Sequence, residues 1–335
     1  MQQNLLDVRH FEVGYGSDAS NLVTAVRDVS FNVRPNEVVG IAGESGCGKS
    51  TLAQASVGLL QPPGQILGGS ALFNGEDIAQ LSEEERRLMR WSEFSFIFQA
   101  SMNVLNPVSR VRDQFADVIQ AHRPRASSDQ LQEMSLNALK MVQIPAQFLD
   151  AYPHQLSGGM KQRVVIAMAL VLRPKLIIMD EPTTALDVVV QRLILQRVAE
   201  LRKELGFSIL FITHDLSLLV SFADRIAIMY AGKIVEEALG RELYSQPLHP
   251  YTSALMQSFP TLHSKRERLH GIAGYPPSLR QKIIGCPFFE RCSQRIPDVC
   301  DRVDPPLEQM TEEHKVACHL YDHAKKEKYG AVIAE

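Results

Sequence analysis

The sequence predicts an α/β fold built on a mainly parallel sheet. Short aliphatic runs alternate with amphipathic stretches up to about residue 245, as in domains whose sheet is covered by helices. Three of these runs are almost continuously apolar, as expected for strands buried on both faces: residues 38–42, 176–179 and 209–213. Because ligands of such sheets bind at the carboxyl ends of the strands, the residues that follow each run are the first candidates for a site.

Two further regions belong to this α/β part of the chain. Residues 25–33 alternate apolar with polar side chains, which predicts a half-exposed strand of an N-terminal antiparallel subdomain. Between about residues 100 and 172 the strand signals vanish and helical ones dominate, with Ser127 available to cap a helix. We therefore expect an inserted helical subdomain there.

The chain changes character after residue 245. The remaining stretch is rich in proline and holds four of the five cysteines, so we expect it to be loop-rich. This predicts a first domain over residues 1–245 and a small C-terminal domain over residues 246–335.

The composition limits the classes of partner. A chain of 335 residues with 45% hydrophobic and 22% charged content is typical of a globular protein. The net charge is −3 and the basic residues are scattered, which argues against a surface for nucleic acid. No apolar run approaches the ~20 residues that cross a bilayer, and the N-terminus lacks the features of a signal peptide. We expect a cytoplasmic protein whose membrane role, if it has one, depends on a partner.

A phosphate-binding loop is predicted at residues 43–51, where GESGCGKST matches G-x-x-x-x-G-K-[ST] between a strand and a helix. Glycines allow backbone N–H groups to surround an oxyanion, and the helix N-terminus adds partial positive charge. Lys49 would neutralise the β- and γ-phosphates, and the Ser50 hydroxyl would ligate Mg²⁺. The alternative is a glycine-rich turn that happens to precede a helix; chance produces the motif in roughly one per cent of chains of this length. The predicted nucleotide-binding residues here are Gly43, Ser45, Gly46, Cys47, Gly48, Lys49, Ser50 and Thr51.

A pair of carboxylates, Asp180 and Glu181, follows the second buried run. Asp180 would hold Mg²⁺ directly or through water, and Glu181 would act as the general base that polarises the attacking water. Such a pair is often only a helix cap or a turn. The phosphate loop favours the catalytic interpretation, because phosphoryl transfer needs a metal ion and a positioned water.

The segment LSGGMKQR at residues 156–163 resembles the signature sequence of ABC-transporter ATPases. Other motifs of that family occur in the expected order: Gln99 resembles the Q-loop, residues 185–187 the D-loop and His214 the switch histidine. Tyr15 occupies the place of the aromatic residue that stacks on adenine. The resemblance covers essentially the whole chain and implies an ABC ATPase domain of the P-loop NTPase fold that uses ATP and Mg²⁺.

The resemblance also implies how the signature works. Serine and glycines before an apolar helix form a helix N-terminus that can face an anion. Without the resemblance, the same residues would be interpreted as a flexible turn. In the family this turn faces the γ-phosphate bound by the opposite subunit, so that two ATPase subunits enclose two nucleotides. The nucleotide contacts implied here are Ser157, Gly158, Gly159 and Gln162. Catalytic roles are implied for Glu181, for His214 at the γ-phosphate and for Gln99, which is also an implied Mg²⁺ ligand. Without the family resemblance, His214 would more often be interpreted as an ordinary residue at the end of a strand than as a catalytic one. Tyr15 would be interpreted as an exposed aromatic residue.

Three segments narrow the resemblance to the oligopeptide/dipeptide importer branch: YPHQ at 152–155, DEPTTALD at 180–187 and LHPYT at 248–252. The branch implies ATP-driven import of peptides or related small solutes, including oligosaccharides, at the cytoplasmic face of the membrane. The SGGM and PTTALD forms resemble the D-type subunit, which usually pairs with an F-type ATPase. The implied partners are that second ATPase, two membrane permeases and an extracytoplasmic solute-binding protein, with no nucleic acid.

Four cysteines of the C-terminal stretch follow the spacing C-x5-C-x7-C-x17-C: Cys286, Cys292, Cys300 and Cys318. Four soft ligands in a small loop-rich segment suggest a metal centre, and a reducing compartment disfavours disulfides. Related importer subunits carry such cysteines as a [4Fe–4S] site, so the resemblance favours iron–sulfur. Zinc, whose ligand pairs are usually closer, and unligated thiols both stay open. Cys47 is expected to fill space in the phosphate loop.

Two other functional classes fit the sequence less well than transport. Soluble ABC ATPases that act on nucleic acid or ribosomes commonly carry two ATPase units or a long coiled coil, and this sequence has neither. A GTPase would need an N-K-x-D sequence, which is absent from the chain. A redox-sensing C-terminal segment that gates hydrolysis is compatible with transport and stays open.

Overall fold

The computed structural model describes residues 3–17, 21–99, 101–183, 186–258 and 271–321. The strands among these residues are β1 Leu6–Tyr15, β2 Val23–Val33, β3 Val38–Ala42, β4 Gly64–Phe73, β5 Glu76–Asp77, β6 Phe94–Ile97, β7 Leu176–Asp180, β8 Ser208–Thr213, β9 Arg225–Tyr230, β10 Lys233–Leu239, β11 Glu308–Thr311 and β12 His314–Val316. The helices are α1 Lys49–Ser56, α2 Glu83–Met89, α3 Val111–His122, α4 Ser128–Met141, α5 Gly158–Leu170, α6 Val188–Leu205, α7 Leu216–Phe222, α8 Gly240–Ser245 and α9 Pro250–Gln257.

The chain divides into two compact units, each made of several segments. The first unit is formed by Met1–Asp7, Asn32–Val38 and Leu72–Ile212. The second is formed by Val8–Phe31, Val39–Ala71 and Thr213–Glu335. The boundary near residue 245 that the sequence suggested stays a prediction.

The first unit contains three parallel strands in the order β8-β7-β6. All residues of β7 and β8 are buried, which explains their continuous apolar sequence. Between β6 and β7 the described residues hold α3, α4 and α5 and no strand, so the predicted helical insertion is confirmed. Ser127 caps α4 through a capping box with Gln130, as its position before the helix suggested.

The second unit contains β3 and β9 as a parallel pair. From β9 the order continues through antiparallel neighbours to β10, β12 and β11. The C-terminal stretch is therefore less irregular than its prolines suggested, because two short strands join it to β10.

Strands β1, β2, β4 and β5 form a separate sheet in the order β2-β1-β4-β5. Strand β2 alternates buried with less buried residues over much of its length, and this confirms the half-exposed strand predicted at residues 25–33. None of the described helices is long and apolar enough to cross a membrane.

Candidate active site

The predicted phosphate loop lies in the second unit, between strand β3 and helix α1. Gly43 and Gly48 take φ values of 156° and 104°, which side chains rarely adopt. A Cβ atom at Gly43 would collide with the Met229 carbonyl oxygen, and one at Gly48 with that of Ala25. Glycine is therefore required at both positions, and the loop has the strand–turn–helix setting that its motif needs.

Lys49 begins α1, and its side chain folds back over the loop. The Nζ atom donates hydrogen bonds to the carbonyl oxygens of Gly43 at 2.8 Å and Glu44 at 3.0 Å. Lys49 is only 5% exposed, so its ammonium group is held within the loop. Cys47 lies 3.7 Å from the same Nζ atom, and burial raises the pKa of its thiol, which keeps Cys47 neutral. The loop thus presents one buried cation where anionic oxygens would bind.

Tyr15, the predicted adenine-stacking residue, lies close to this loop. Its hydroxyl forms a hydrogen bond of 3.0 Å with Oγ1 of Thr51, in the first turn of α1. The ring is partly buried, so it is not the freely exposed aromatic that a Gly-Tyr-Gly turn alone allows. Two residues predicted to bind nucleotide are therefore neighbours.

His214 also lies in the second unit, directly after β8, and its side chain is exposed. The next residue, Asp215, caps α7 by accepting a hydrogen bond from the Leu218 amide at 3.2 Å. The cap at Asp215 therefore fixes the backbone next to His214, and the histidine side chain lies at the surface.

The predicted carboxylates Asp180 and Glu181 lie in the first unit, at the end of β7. Asp180 is 2% exposed. Glu181 has a φ of 44°, a left-handed conformation uncommon outside glycine and frequent at functional sites. Its backbone amide donates to the Ile212 carbonyl at 2.9 Å, which secures this turn against the neighbouring strand.

Gln99 and Glu181, both predicted to be catalytic, are in direct contact. The Gln99 Nε2 atom donates a hydrogen bond to Oε2 of Glu181 at 3.0 Å. No sequence pattern indicated this bond between residues 82 positions apart.

The signature residues form the N-terminus of α5, also in the first unit. Ser157 is the N-cap, and its hydroxyl accepts a hydrogen bond from the Met160 amide at 3.3 Å. Ser157 and Gly158 are exposed, and no acidic residue lies in the first turn, so the helix end is open to an anion. Gln162 differs: it is fully buried and its Oε1 accepts from the Ser101 hydroxyl at 3.1 Å. Of the predicted D-loop, Ala185 lies outside the described residues.

Comparisons with known proteins decide the family. A family model described as "ABC transporter" matches residues 26–184, and one described as "Oligopeptide/dipeptide transporter, C-terminal region" matches residues 235–300. The dipeptide transport ATP-binding protein DppD of Bacillus subtilis is 42% identical over 96% of this chain and 96% of its own length. The oligopeptide transport ATP-binding protein OppD of Escherichia coli is 42% identical over 94% of this chain and 92% of its own length. The chain belongs to the ATP-binding subunits of ABC transporters.

Solved structures of ABC ATPases confirm the predicted fold. The dimeric ABC transporter cassette MJ0796 superimposes with a TM-score of 0.62 at 29% identity, over 70% of this chain and 99% of that one. CbiO1 of Clostridium perfringens, from the complex CbiONQ, gives a TM-score of 0.63 at 30% identity, over 72% and 91%. This ABC-transporter subunit is therefore an ATPase whose hydrolysis of ATP is coupled to transport.

The four C-terminal cysteines of this ABC-transporter subunit line one small cavity in the second unit, together with His249 and Phe288. The cavity has a volume of about 10 Å³, the lower limit for a single water molecule. None of these four described cysteines forms a disulfide, and burial raises the pKa of Cys286 and of Cys318 to about 12, so both are neutral thiols.

In the arrangement that the structure shows, these cysteines do not form the predicted metal site. Within the described ranges, no group of three or more His, Cys, Asp or Glu side chains is placed to hold a metal ion. Four thiols that share a cavity are soft donors of the kind an iron–sulfur or zinc site uses, but as placed they are not a ligand set.

Proposed function

We propose that this subunit powers the import of peptides or closely related small solutes by hydrolysing ATP. The observation that carries the proposal is the similarity, over more than nine tenths of the chain, to proteins named for dipeptide and oligopeptide transport. The match of residues 235–300 to the C-terminal region of such transporters extends this similarity beyond the ATPase core.

In the second unit, Lys49 is proposed to bind the β- and γ-phosphates, since its buried ammonium group already bridges two loop carbonyls. The backbone of residues 43–48 would supply N–H donors to the same oxygens. Ser50 would offer a hydroxyl ligand to the Mg²⁺ that accompanies ATP, Tyr15 would stack on the adenine, and His214 would contact the γ-phosphate.

In the first unit, Glu181 is proposed to be the general base. It would accept a proton from the attacking water as the water oxygen bonds to the γ-phosphorus and the bond to the ADP oxygen breaks. Gln99 supports this role, because its bond to Oε2 fixes the orientation of the carboxylate. Asp180 and Gln99 are proposed as oxygen ligands of Mg²⁺, which neutralises charge on the phosphates during transfer.

We propose that the exposed N-terminus of α5 completes the nucleotide site of a second ATPase subunit, of F-type, through Ser157, Gly158 and Gly159. This proposal is supported by the exposure of Ser157 and Gly158 at the start of α5 and by the lack of acidic residues in its first turn. The other proposed partners are two permeases, which would hold this subunit at the inner face of the membrane, and an extracytoplasmic solute-binding protein. Gln162 would act indirectly, since its side chain is buried.

Reconstitution tests the transport function. The subunit would be placed in liposomes with two permeases and a partner ATPase, and uptake of labelled peptide measured against ATP hydrolysis. Peptide uptake that requires both ATP and the solute-binding protein is the expected result. Hydrolysis that responds to DNA, RNA or ribosomes, without any peptide uptake, would overturn the proposal in favour of a soluble ABC ATPase.

We also propose a [4Fe–4S] centre at Cys286, Cys292, Cys300 and Cys318. One support is the donor set, four thiols around one cavity. Another is His249, which lines the same cavity and is buried with no hydrogen-bond partner at Nε2. Its Nδ1 accepts from the Tyr251 amide at 3.0 Å, so Nε2 carries the proton and would donate to a sulfur-ligated group. Binding would require loss of the thiol protons and rearrangement around the group, and would stabilise this loop-rich segment.

A further inference from the structure

The phosphate loop carries an acidic side chain beside its lysine. Glu44 follows Gly43 directly, and its carbonyl oxygen accepts a hydrogen bond from Lys49 Nζ at 3.0 Å. A carboxylate in this position adds a negative charge to a loop whose proposed ligand is itself a polyanion. Like charges near a binding site lower affinity, so an unpaired Glu44 would oppose ATP.

Arg291 pairs with this carboxylate from 247 residues further along the chain. Its Nη1 and Nη2 atoms donate to the two oxygens of Glu44 at 2.8 and 2.9 Å, the two-pronged geometry that makes arginine–carboxylate pairs strong. The Arg291 side chain is 5% exposed and that of Glu44 24%, so water screens the pair only in part. The pair also raises the pKa of the Arg291 guanidinium.

The guanidinium is held by further contacts within the second unit. Nη1 also donates to the Tyr230 hydroxyl at 3.1 Å, and Nε donates to the Ala273 carbonyl at 2.9 Å. The guanidinium carbon lies 5.7 Å from the centre of the Tyr230 ring and 5.8 Å from that of Phe288. Arg291 is therefore fixed by the fold and does not follow Glu44 as a mobile surface side chain would.

Glu44 is fixed from the other side as well. Its backbone amide donates to the Tyr251 hydroxyl at 3.0 Å, and the Tyr251 ring packs 4.6 Å from that of Tyr230. Tyr251 and Arg291 thus hold the acidic residue of the loop, and the rings of Tyr230 and Phe288 pack against both of them.

We propose that Arg291 is a positioning residue for nucleotide binding, which neutralises Glu44 and so sets the affinity of the phosphate loop for ATP. Through this pair, nucleotide affinity depends on the C-terminal cysteine segment, because Arg291 immediately precedes Cys292. The inference rests on the proposed binding of nucleotide by residues 43–51.

The test is a double-mutant cycle on the full chain, with the dissociation constants of MgATP and MgADP measured by calorimetry. Arg291→Gln leaves Glu44 unpaired and should weaken ATP binding roughly three- to tenfold. Glu44→Gln should bind ATP as tightly as the parent or more tightly. The double variant Glu44→Gln/Arg291→Gln should return to within about twofold of the parent, because the opposing charge has gone too.

Two controls separate neutralisation from a simple anchoring role. Arg295→Gln removes an equal charge four residues away, where the side chain lies over the Phe289 ring, and should leave ATP affinity unchanged. Arg291→Lys keeps the charge but cannot donate to both oxygens of Glu44 at once, so its loss of ATP affinity should be smaller than that of Arg291→Gln. The defect of Arg291→Gln should also shrink in 0.5 M salt, since screening weakens the repulsion from Glu44.

Three outcomes would overturn the inference. One is normal ATP affinity of folded Arg291→Gln, and another is a double variant as weak as Arg291→Gln. If Arg291→Gln does not fold, Glu44→Gln still decides, because clearly weaker ATP binding by that variant contradicts a neutralising role for Arg291. Failure of the parent chain to bind ATP would instead refute the proposed function of the loop.

Discussion

Gln99 Nε2 and Glu181 Oε2 are joined by a hydrogen bond of 3.0 Å. The register of the sheet accounts for it: β6 and β7 run parallel with Ile97 beside Met179, and two residues further on Gln99 comes level with Glu181. The residue proposed to contact the metal and the residue proposed to activate water thus share one edge of the first unit. A movement of Gln99 would release the carboxylate.

Glu181→Gln is expected to retain ATP binding and to lose turnover by about 10²-fold or more, because an amide cannot accept the proton of the attacking water. Phosphate release should be measured in a complex whose second ATPase is already inactive. Near-normal hydrolysis in that complex would refute Glu181 as the base.

Gln99→Ala is expected to reduce peptide uptake per ATP hydrolysed, while ATP affinity stays within about twofold of the parent. The change removes the donor to Glu181 without touching the phosphate loop. Gln132→Ala, an exposed glutamine of α4, is a matched control that should transport normally. Full coupling in Gln99→Ala would contradict the proposed role.

Lys49→Ala is expected to weaken ATP binding about tenfold or more, since it removes a charged hydrogen-bond donor at the phosphates. Lys175→Ala serves as its control, because Lys175 is an exposed lysine paired with Glu93. Titration with a fluorescent ATP analogue measures both. Equal affinities in the two variants would exclude Lys49 from the site.

His314 predicts the pH dependence of folding. It is buried between Glu236 at 2.8 Å and Glu242 at 3.3 Å. Burial acts to lower its pKa, but the hydrogen bonds and charges of the two glutamates outweigh this, so the pKa is raised. The stabilisation is complete below the unfolded value of about 6.5 and is lost as the pH rises through the folded pKa.

Urea denaturation of the parent should therefore show a falling free energy of unfolding as the pH rises above 6.5, and His314→Gln should flatten this slope. The buried His249, with a pKa lowered to about 4, acts in the opposite sense below 6.5 and does not disturb this window. An unchanged slope in His314→Gln would contradict the assignment.

Cys300→Ser tests the proposed metal centre. Protein purified without oxygen should be brown and hold roughly four iron atoms per chain, and the variant should hold less iron and lose protection of the C-terminal segment in hydrogen exchange. ATP binding through Lys49 should persist, with at most the roughly three- to tenfold loss expected when Arg291 no longer pairs with Glu44. One zinc per chain in colourless protein expressed with ample iron would refute the iron–sulfur cluster and leave only a metal that cross-links the segment. Protein without any metal would refute the metal centre altogether and leave four thiols.

Local sequence accounted for the parts of the site that one segment builds. The turn of the phosphate loop and the cap at Ser157 are each built by consecutive residues, so their patterns predicted strand–turn–helix and helix start. The Gln99–Glu181 bond depends on the register of two strands, and the Arg291–Glu44 pair on contacts across most of the chain. Neither register nor a distant ion pair leaves a periodic signal in the sequence.

The strands of the C-terminal stretch were likewise not predictable from local sequence. Strand β12 has three residues, too few for a recognisable alternation, and it forms because β10 offers a partner. For the Arg291–Glu44 pair the sequence held one signal, the acidic residue itself, because a carboxylate inside a loop for anions needs a cation nearby.

Strand β12 also covers the outer edge of β10, where Glu236 pairs with Val316 and Glu237 with Lys315. A shortened chain that stops before residue 308 would uncover the amide and carbonyl groups of β10 along this side. Such a chain would expose a ready template for another copy and would be prone to self-association. Expression of the ATPase core alone should therefore produce aggregates unless that edge is capped, whereas a chain that keeps residues 308–321 keeps it paired.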